Sequence, residues 1–331
     1  MKMKKFINRP ENIVPELLEG FALSHPDQIR LVGHNLVARA RPKAKDKVGV
    51  VTLGGSGHEP GLSGFVGEGM LDISVAGEIF AAPGAPRCLE AIRLAEYGAG
   101  VLFVVLNHAG DVLSANITMD LAKREGLNVK MTLTHEDIAG GPNLDDRRGL
   151  VGFLPVYKVA GAAAEEGRPL DGCFEIAERM GRNMRTLAVA VQTATHPSTG
   201  LPIFELADDE MEIGMGQHGE AGTGRMKLKT ADETAEIMLE MLLKDLAVKA
   251  GEELLVILNG AGATTLMELF IVFRRVDQLL KSRGIKLARA KVGEFITTQE
   301  QAGFQLMVAR MDSELVRLWD APSNAPYFVT R

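Results

Sequence analysis

A histidine follows a cluster of glycines in the segment VTLGGSGHEPG. Gly54, Gly55 and Gly57 permit positive φ and let the backbone approach a bound molecule without interference from a Cβ atom. Ser56 and His58 add polar atoms beside these glycines, and histidine is the usual proton carrier near neutral pH. Two interpretations are open: a tight structural turn, or a loop that holds a small ligand with His58 taking part in the chemistry.

A carboxylate forms the second candidate group. Asp111 ends the segment NHAGD, which follows an apolar run that ends at Leu106. We expect Asp111 to open a helix, where it would act as an N-cap that accepts backbone N–H bonds. The functional alternative is a general base that takes the proton of a substrate hydroxyl. The two roles are compatible.

The third candidate group is His218, in the segment EIGMGQHGEAGTGR. Five glycines fall within residues 214–224, and such a polar stretch is atypical of a packed core. His218 is either an ordinary loop residue or a nucleophile or ligand that Glu220 and Arg225 could orient. Metal binding is a weaker alternative, because the chain has no HExxH, HxH or CxxC segment and its candidate ligands are scattered. We therefore expect no metal site.

The composition is typical of a globular protein, and it favours a small molecule over nucleic acid as the ligand. The chain has 331 residues and 46% hydrophobic content, enough for two domains. Its 37 basic and 43 acidic residues give a net charge of −6 without a Lys/Arg cluster, which argues against nucleic acid. Cys88 and Cys173 are expected to be core thiols. Without a signal-peptide core or a long apolar run, we expect a cytoplasmic protein that does not enter membranes.

Short apolar runs alternate with helical segments, which is typical of an α/β fold. Strands are predicted at residues 48–53, 101–106, 129–133, 186–192, 254–258, 286–292 and 303–308. Helices are predicted at residues 88–97, 111–125, 150–166, 170–183, 232–246 and 266–283, the last with a capping box formed by Thr265 and Glu268. We place a domain boundary near residue 183, with the GGSGHEPG loop in domain 1–183 and His218 in domain 184–331.

The candidate groups follow predicted strands. GGSGHEPG, NHAGD and NGAGAT each come directly after one, and ligands of α/β proteins bind outside the carboxyl ends of the strands. The glycine loop lacks the GK[ST] of a Walker A motif and the GxGxxG spacing, so a nucleotide site in it is unsupported.

Taken in order, several segments resemble the dihydroxyacetone-binding subunit of dihydroxyacetone kinase, DhaK. They are GGSGHEPG, GEIFAAP, NHAGD, RRG, ADDEMEIGMGQHGEAG, NGAGATTLMEL and LWDAP. The resemblance implies two α/β domains with central sheets flanked by helices, a homodimer, and a substrate site made by loops from both domains. It also implies that His218 binds the ketose carbonyl as a covalent hemiaminal, that His58 and Asp111 do acid/base work, and that Gly55 and its neighbours contact substrate.

The resemblance assigns the phosphoryl donor to another chain. Members of this length bind no nucleotide, so ATP or ADP with Mg²⁺ should sit on a separate, all-helical DhaL-like subunit. This chain then needs no cofactor of its own. Whether the donor is free ATP or is recharged by a phosphotransferase-system carrier is left open.

Two departures from the family pattern lie beside the candidate base. Where the family reads KNYTGD or NNYTGD, this chain has LNHAGD, which places Leu106 and His108 at substrate-facing positions. Because pocket size and polarity change, a four-carbon or longer ketose such as erythrulose is a possible substrate besides dihydroxyacetone. The alternative function is a non-enzymatic ketose sensor that reports to a regulator; retention of His58 and Asp111 favours the enzyme.

Overall fold

The computed structural model describes residues 4–216, 219–220, 222 and 224–331. This part of the chain forms two compact α/β units, each built around a mixed six-stranded sheet. The first unit contains Met1–Thr134, Phe153–Met180 and Arg317–Arg331, and the second contains His135–Gly152 and Gly181–Val316. The predicted fold class, two α/β domains with sheets flanked by helices, is confirmed.

The predicted division into residues 1–183 and 184–331 does not describe these units. Residues 135–152 belong to the second unit, because Asp137 bridges to Thr186 and Ile138 packs against the second core. Residues 317–331 belong to the first unit, where the buried Lys158 ammonium donates to backbone carbonyls near the C-terminus. Local periodicity carries no information about such long-range returns of the chain.

The first sheet is parallel where the candidate groups lie. Its strands are β1 (Ile29–Val32), β2 (Leu36–Arg39), β3 (Gly49–Ser56), β4 (Ile73–Ile79), β5 (Val101–Leu106) and β6 (Val129–Thr134). They run in the order β1-β2-β4-β3-β5-β6; β4, β3, β5 and β6 are parallel to one another, and the β1–β2 and β2–β4 pairings are antiparallel. The strands β1, β2 and β4 were not predicted. The helices are α1 (Ile13–Ser24), α2 (Ala85–Ala95), α3 (Ala109–Arg124), α4 (Phe153–Glu165) and α5 (Leu170–Arg182).

The two faces of the first sheet pack differently. Alternate strand residues such as Leu53 and Val105 join a fully apolar cluster with residues of α2 and α3. On the other face Thr52 donates to the Val104 carbonyl and lies 2.7 Å from the hydroxyl of Tyr157 on α4. The single Thr52 proton is used, so Tyr157 is the donor in that contact. This buried pair fixes α4 against the centre of the sheet.

The second sheet is mostly antiparallel. Its strands are β7 (Met184–Gln192), β8 (Glu210–Ile213), β9 (Gly224–Lys227), β10 (Glu253–Gly260), β11 (Lys286–Gly293) and β12 (Ala302–Arg310), in the order β11-β10-β12-β7-β8-β9. The remaining elements are α6 (Ala231–Asp245), α7 (Leu266–Ser282), α8 (Ser313–Asp320) and the hairpin of β13 (Ser323–Ala325) and β14 (Phe328–Thr330). The capping box at Thr265 and Glu268 is confirmed, with both reciprocal contacts at the start of α7.

Among the described residues, no helix has both the length and the apolar composition needed to cross a bilayer.

Candidate functional site

The glycine segment begins inside β3 rather than in the loop that follows it. Gly54 pairs with Ala76 of β4, and the register then shifts before Ser56. The Ser56 hydroxyl donates to the Gly77 carbonyl at 2.8 Å, so its proton serves the sheet. The loop proper therefore starts at Gly57, three residues later than the sequence pattern indicated.

The glycines are required because another backbone segment passes directly against them. A Cβ atom on Gly55 would lie 2.7 Å from the backbone nitrogen of Ala81. Gly57 has a φ of +100°, and a Cβ atom there would lie 2.8 Å from the Phe80 ring. A larger residue would have to displace backbone at Gly55 and would be strained at Gly57.

His58 is held against an aromatic ring. Its side chain is only 6% exposed, and its ring centroid lies 4.9 Å from that of Phe80. The Glu59 carboxylate accepts the Gly57 N–H at 3.0 Å, and burial raises the pKa of Glu59. Phe80 belongs to the GEIFAAP segment, and the sequence pattern did not predict its contact with His58.

Asp111 is not the N-cap of α3. The helix begins at Ala109, so His108 is the N-cap, with φ −122° and ψ 140°, and Asp111 is the third helical residue. The predicted N-cap role is wrong because the helix starts two residues earlier than the polar pattern suggested. A carboxylate in the first turn still interacts favourably with the positive end of the helix dipole.

The electrostatics place the Asp111 carboxylate near two neighbouring helices. Burial raises the pKa of the Cys88 thiol on α2 to about 12, and it also raises the pKa of Tyr157 on α4. The negative charge of Asp111 adds to both shifts. The carboxylate therefore lies within electrostatic reach of α2 and α4, at the end of the sheet.

His58 and Asp111 leave the same edge of the sheet. The strands β3 and β5 are parallel neighbours with Leu53 opposite Val105, and their carboxyl ends therefore meet. Adjacent strands lie about 4.8 Å apart, which brings the loop after β3 beside the first turn of α3. The structure thus brings together the predicted residues of the first unit: Gly54, Gly55, Ser56, Gly57, His58, Leu106, His108 and Asp111.

The two residues that depart from the family pattern have different environments. Leu106 ends β5 with only 3% of its side chain exposed, and its carbonyl accepts the His108 N–H at 2.8 Å. His108 is half-buried and precedes the first turn of α3. Of the pair, His108 is the one with surface available to a ligand.

NGAGAT has a structural role in the second sheet. The buried Asn259 side chain accepts the backbone N–H groups of Phe295 and Ile296 at 2.7 and 3.0 Å and donates to the Ile296 carbonyl. Thr264 accepts the N–H of Gly303 through its hydroxyl at 2.8 Å. These contacts tie the end of β10 to the segment after β11 and to the start of β12.

His218 lies outside the described residues. The described residues around it close a short turn, since the Gly216 N–H donates to the Glu220 carbonyl at 2.9 Å. The guanidinium of Arg225 lies 3.3 Å from a Glu212 oxygen. Glu212 also accepts the N–H of Gly222 at 2.7 Å. Within the described ranges no cluster of three or more His, Cys, Asp or Glu residues is arranged to bind a metal ion.

Comparison with known proteins identifies the family of this chain. The Dak1 domain matches residues 19–327. This chain belongs to the Dak1 domain family. The resemblance to DhaK inferred from the sequence is thereby confirmed.

Relatives of this Dak1 domain include kinases and a co-activator. The PTS-dependent dihydroxyacetone kinase 1, dihydroxyacetone-binding subunit DhaK, of Listeria innocua is 38% identical over 315 residues, covering 94% of this chain and 95% of that protein. The L-erythrulose kinase of Pectobacterium atrosepticum is 37% identical over 98% of this chain, which spans 56% of that enzyme. The solved structure of the dihydroxyacetone kinase operon co-activator Dha-DhaQ is 30% identical, with a TM-score of 0.91, covering 96% of this chain and 99% of the co-activator.

Sequence reasoning missed a buried acid in the segment 135–152 of this Dak1 domain. The Glu136 Oε1 atom accepts the N–H groups of Leu150 and Gly152 at 2.6 and 2.9 Å. Its Oε2 atom has no hydrogen-bond partner among the described residues. Burial raises the pKa of Glu136 to about 7. A glutamate between a histidine and an aspartate gives no sequence signal for such burial.

The pKa of Glu136 predicts a pH-dependent stability. Because the folded-state pKa of about 7 exceeds the ordinary value of 4.5, the folded state binds the extra proton between these values. The free energy of unfolding should therefore fall as pH rises through this window, by up to about 3 kcal/mol. Glu136→Gln should flatten that slope in urea titrations from pH 4.5 to 8, whereas Glu19→Gln, at an exposed position of α1, should leave it unchanged. Parallel curves for all three proteins would contradict the assignment.

Proposed function

We propose that this chain is the ketose-binding catalytic subunit of a dihydroxyacetone kinase-type system. It holds dihydroxyacetone, or a related short-chain ketose such as erythrulose, as a covalent hemiaminal of His218. A nucleotide on a separate DhaL-like subunit supplies the phosphoryl group. The observation that carries the proposal is the placement of His58 and Asp111 at one edge of a parallel sheet in a Dak1 domain.

The capture step needs a neutral histidine. One imidazole nitrogen of His218 forms a bond to the ketone carbon while the π bond of the carbonyl breaks; the carbonyl oxygen takes up a proton, and the ring loses its N–H proton. The net charge of histidine and ketose does not change, and the ketose is attached to His218 through a tetrahedral carbon. Such tethering suits a small substrate with little surface for binding, and it rejects polyols, which have no carbonyl group.

The transfer step needs removal of a proton from the accepting hydroxyl. The hydroxyl oxygen forms a bond to the terminal phosphorus of the nucleotide while the bond from that phosphorus to the leaving oxygen breaks. Asp111 and His58 are the groups that take the hydroxyl proton and hold the hydroxyl in line. The first-turn position of Asp111 and the packing of His58 on Phe80 support these roles, because a helical backbone and a ring contact restrict where the two side chains point.

The nucleotide and Mg²⁺ are assigned to the partner subunit. The sequence has no Walker A motif, and the DhaK of Listeria innocua is named as the dihydroxyacetone-binding subunit of a PTS-dependent system. Both facts support a split enzyme in which this chain binds only the ketose. We also carry over the homodimer from the family resemblance; sedimentation equilibrium of the purified chain measures it.

The second candidate function is a ketose-sensing co-activator of the same fold. The similarity to Dha-DhaQ is the specific observation that favours it. A sensor needs capture by His218 but no base, whereas a kinase subunit also needs Asp111. Activity with a DhaL-like partner therefore separates the two functions.

Covalent capture is the first expected result. With dihydroxyacetone labelled with carbon-13 at the carbonyl, the ketone signal should be replaced by that of a tetrahedral carbon on binding. His218→Ala should abolish this signal, and His34→Ala, at an exposed position between β1 and β2, should keep it. Tight binding by the wild type with an unchanged ketone signal would sink the hemiaminal assignment.

Asp111 should matter for turnover rather than for affinity. In the presence of a DhaL-like partner and nucleotide, Asp111→Asn should lower kcat by about 10²- to 10⁴-fold with little change in KM, because a base acts mainly in the transition state. Asp120→Asn, at an exposed position of the same helix, is the matched control and should retain activity. Equal activity of the two variants, or no activity of the wild type with any partner, would favour the co-activator.

The altered pocket should shift the preference among ketoses. We expect kcat/KM for an erythrulose to equal or exceed that for dihydroxyacetone, because Leu106 gives up a hydrogen bond of about 0.5–1.5 kcal/mol and His108 can donate to a hydroxyl further along. Leu106→Lys with His108→Tyr should move the preference back toward the triose. Because Leu106 is nearly buried, Leu106→Asn with His108→Tyr is measured beside it. A strong triose preference that neither variant changes would make these departures functionally neutral.

A further inference from the structure

Arg148 connects a buried carboxylate to the histidine segment. Its Nε atom donates to an Asp137 carboxylate oxygen at 2.8 Å, and its Nη2 atom lies 2.6 Å from the same oxygen. The Nη2 atom also donates to the Gly214 carbonyl at 2.7 Å. Gly214 directly follows β8 and has a φ of +82°. One guanidinium thus holds the backbone at the point where the chain leaves the second sheet.

The Asp137 carboxylate is itself firmly placed. It is completely buried, and its other oxygen accepts the N–H of Ala139 at 3.0 Å. The planar guanidinium of Arg148 has donors in a fixed geometry, so an orientation set by Asp137 also sets the direction toward Gly214. Hydrogen bonds with a charged donor are stronger than neutral ones. The Arg148 side chain, which donates to the Gly214 carbonyl, is mostly shielded from water.

Arg148 also lies beside Gly216, where the Glu220 carboxylate from the other side of the histidine position meets it. A Cβ atom on Gly216 would lie 2.3 Å from the Arg148 Nη1 atom and 2.1 Å from a Glu220 carboxylate oxygen. Both charged groups therefore lie against Gly216, on the same side of its backbone. In the chain, Gly216 precedes residues 217 and 218, and Glu220 follows them. The hydrogen bond from the Gly216 N–H to the Glu220 carbonyl joins these two flanks.

We propose that Arg148, oriented by Asp137, is a positioning residue that sets the presentation of His218 for addition to the ketose carbonyl. The inference rests on the proposed function, in which His218 is the capturing group. Addition to a carbonyl requires the nitrogen at a defined distance and angle, so restricting the backbone on both sides of the histidine raises the fraction of productive encounters. Glycines alone would leave these flanks with many conformations.

The neighbouring arginine provides a matched control. Arg147 is the same residue type in the same RRG segment, but its guanidinium pairs with Asp245 on α6 at 2.7 and 2.9 Å and donates to the Gly141 carbonyl. Loss of Arg147 should therefore cost stability without a specific effect on capture.

The experiment compares Arg148→Gln, Arg148→Lys and Arg147→Gln in the full chain. Carbonyl-labelled dihydroxyacetone is titrated into each protein, and carbon NMR separates ketose bound as a tetrahedral adduct from ketose bound as a free ketone; thermal unfolding gives Tm. We expect Arg148→Gln to lower the adduct-to-ketone ratio of bound ligand on the order of tenfold or more. Arg148→Lys should recover part of the ratio, because an ammonium keeps the charge but cannot hold both partners in one plane. Arg147→Gln should lower Tm and leave the ratio at the wild-type value.

The outcomes separate this inference from the proposed function. If wild-type protein forms no adduct, the proposed function fails before the variants are compared. If the wild type forms the adduct and Arg148→Gln keeps the same ratio, the positioning role is overturned and the capture chemistry stands. A ratio that falls equally in the Arg147 and Arg148 variants, in step with Tm, also overturns it, because the effect would then be general destabilisation.

Discussion

The parallel pairing of β3 with β5 is the constraint on which the candidate site depends. Parallel strands end at a common edge, so the residues after each strand are neighbours whatever their separation in the chain. The register places Leu53 opposite Val105. It is held by buried apolar residues on one face of the sheet and by the Thr52 and Tyr157 hydroxyls on the other. A slip of one residue would exchange these faces, which is why the edge is well defined.

Close backbone packing gives that edge its shape. The segment that contains Phe80 and Ala81 passes against β3 at a distance that only glycine tolerates, and the Phe80 ring in turn covers His58. The glycines therefore serve the packing of two backbone segments as much as any ligand. This packing role is compatible with the proposed ligand loop, so the two interpretations of the glycine pattern do not exclude each other.

In the second unit, buried carboxyl groups rather than close backbone packing hold neighbouring segments together. Glu136 and Asp137 lie side by side without exposure to water, one holding the N–H groups of Leu150 and Gly152 and the other holding Arg148. Buried carboxylates are costly unless they are paired, so each such group specifies its partner strongly. The chain uses this specificity to connect the segment 135–152 to the flanks of the histidine position.

Several elements of both units and the family assignment follow from local pattern. The apolar run 101–106 is β5 with the predicted bounds, the capping box begins α7, and the ordered motifs identify a Dak1 domain. These features depend on residues adjacent in the chain, which is the information that periodicity and motif spacing contain. The tertiary structure decided the rest: that Gly54 lies inside a strand, that Asp111 is the third residue of its helix, and that residues 135–152 and 317–331 each join a unit remote in sequence. Each of these depends on partners distant in the chain, such as β4 for Gly54 and Thr186 for Asp137, and the free energy of those contacts outweighs local preference.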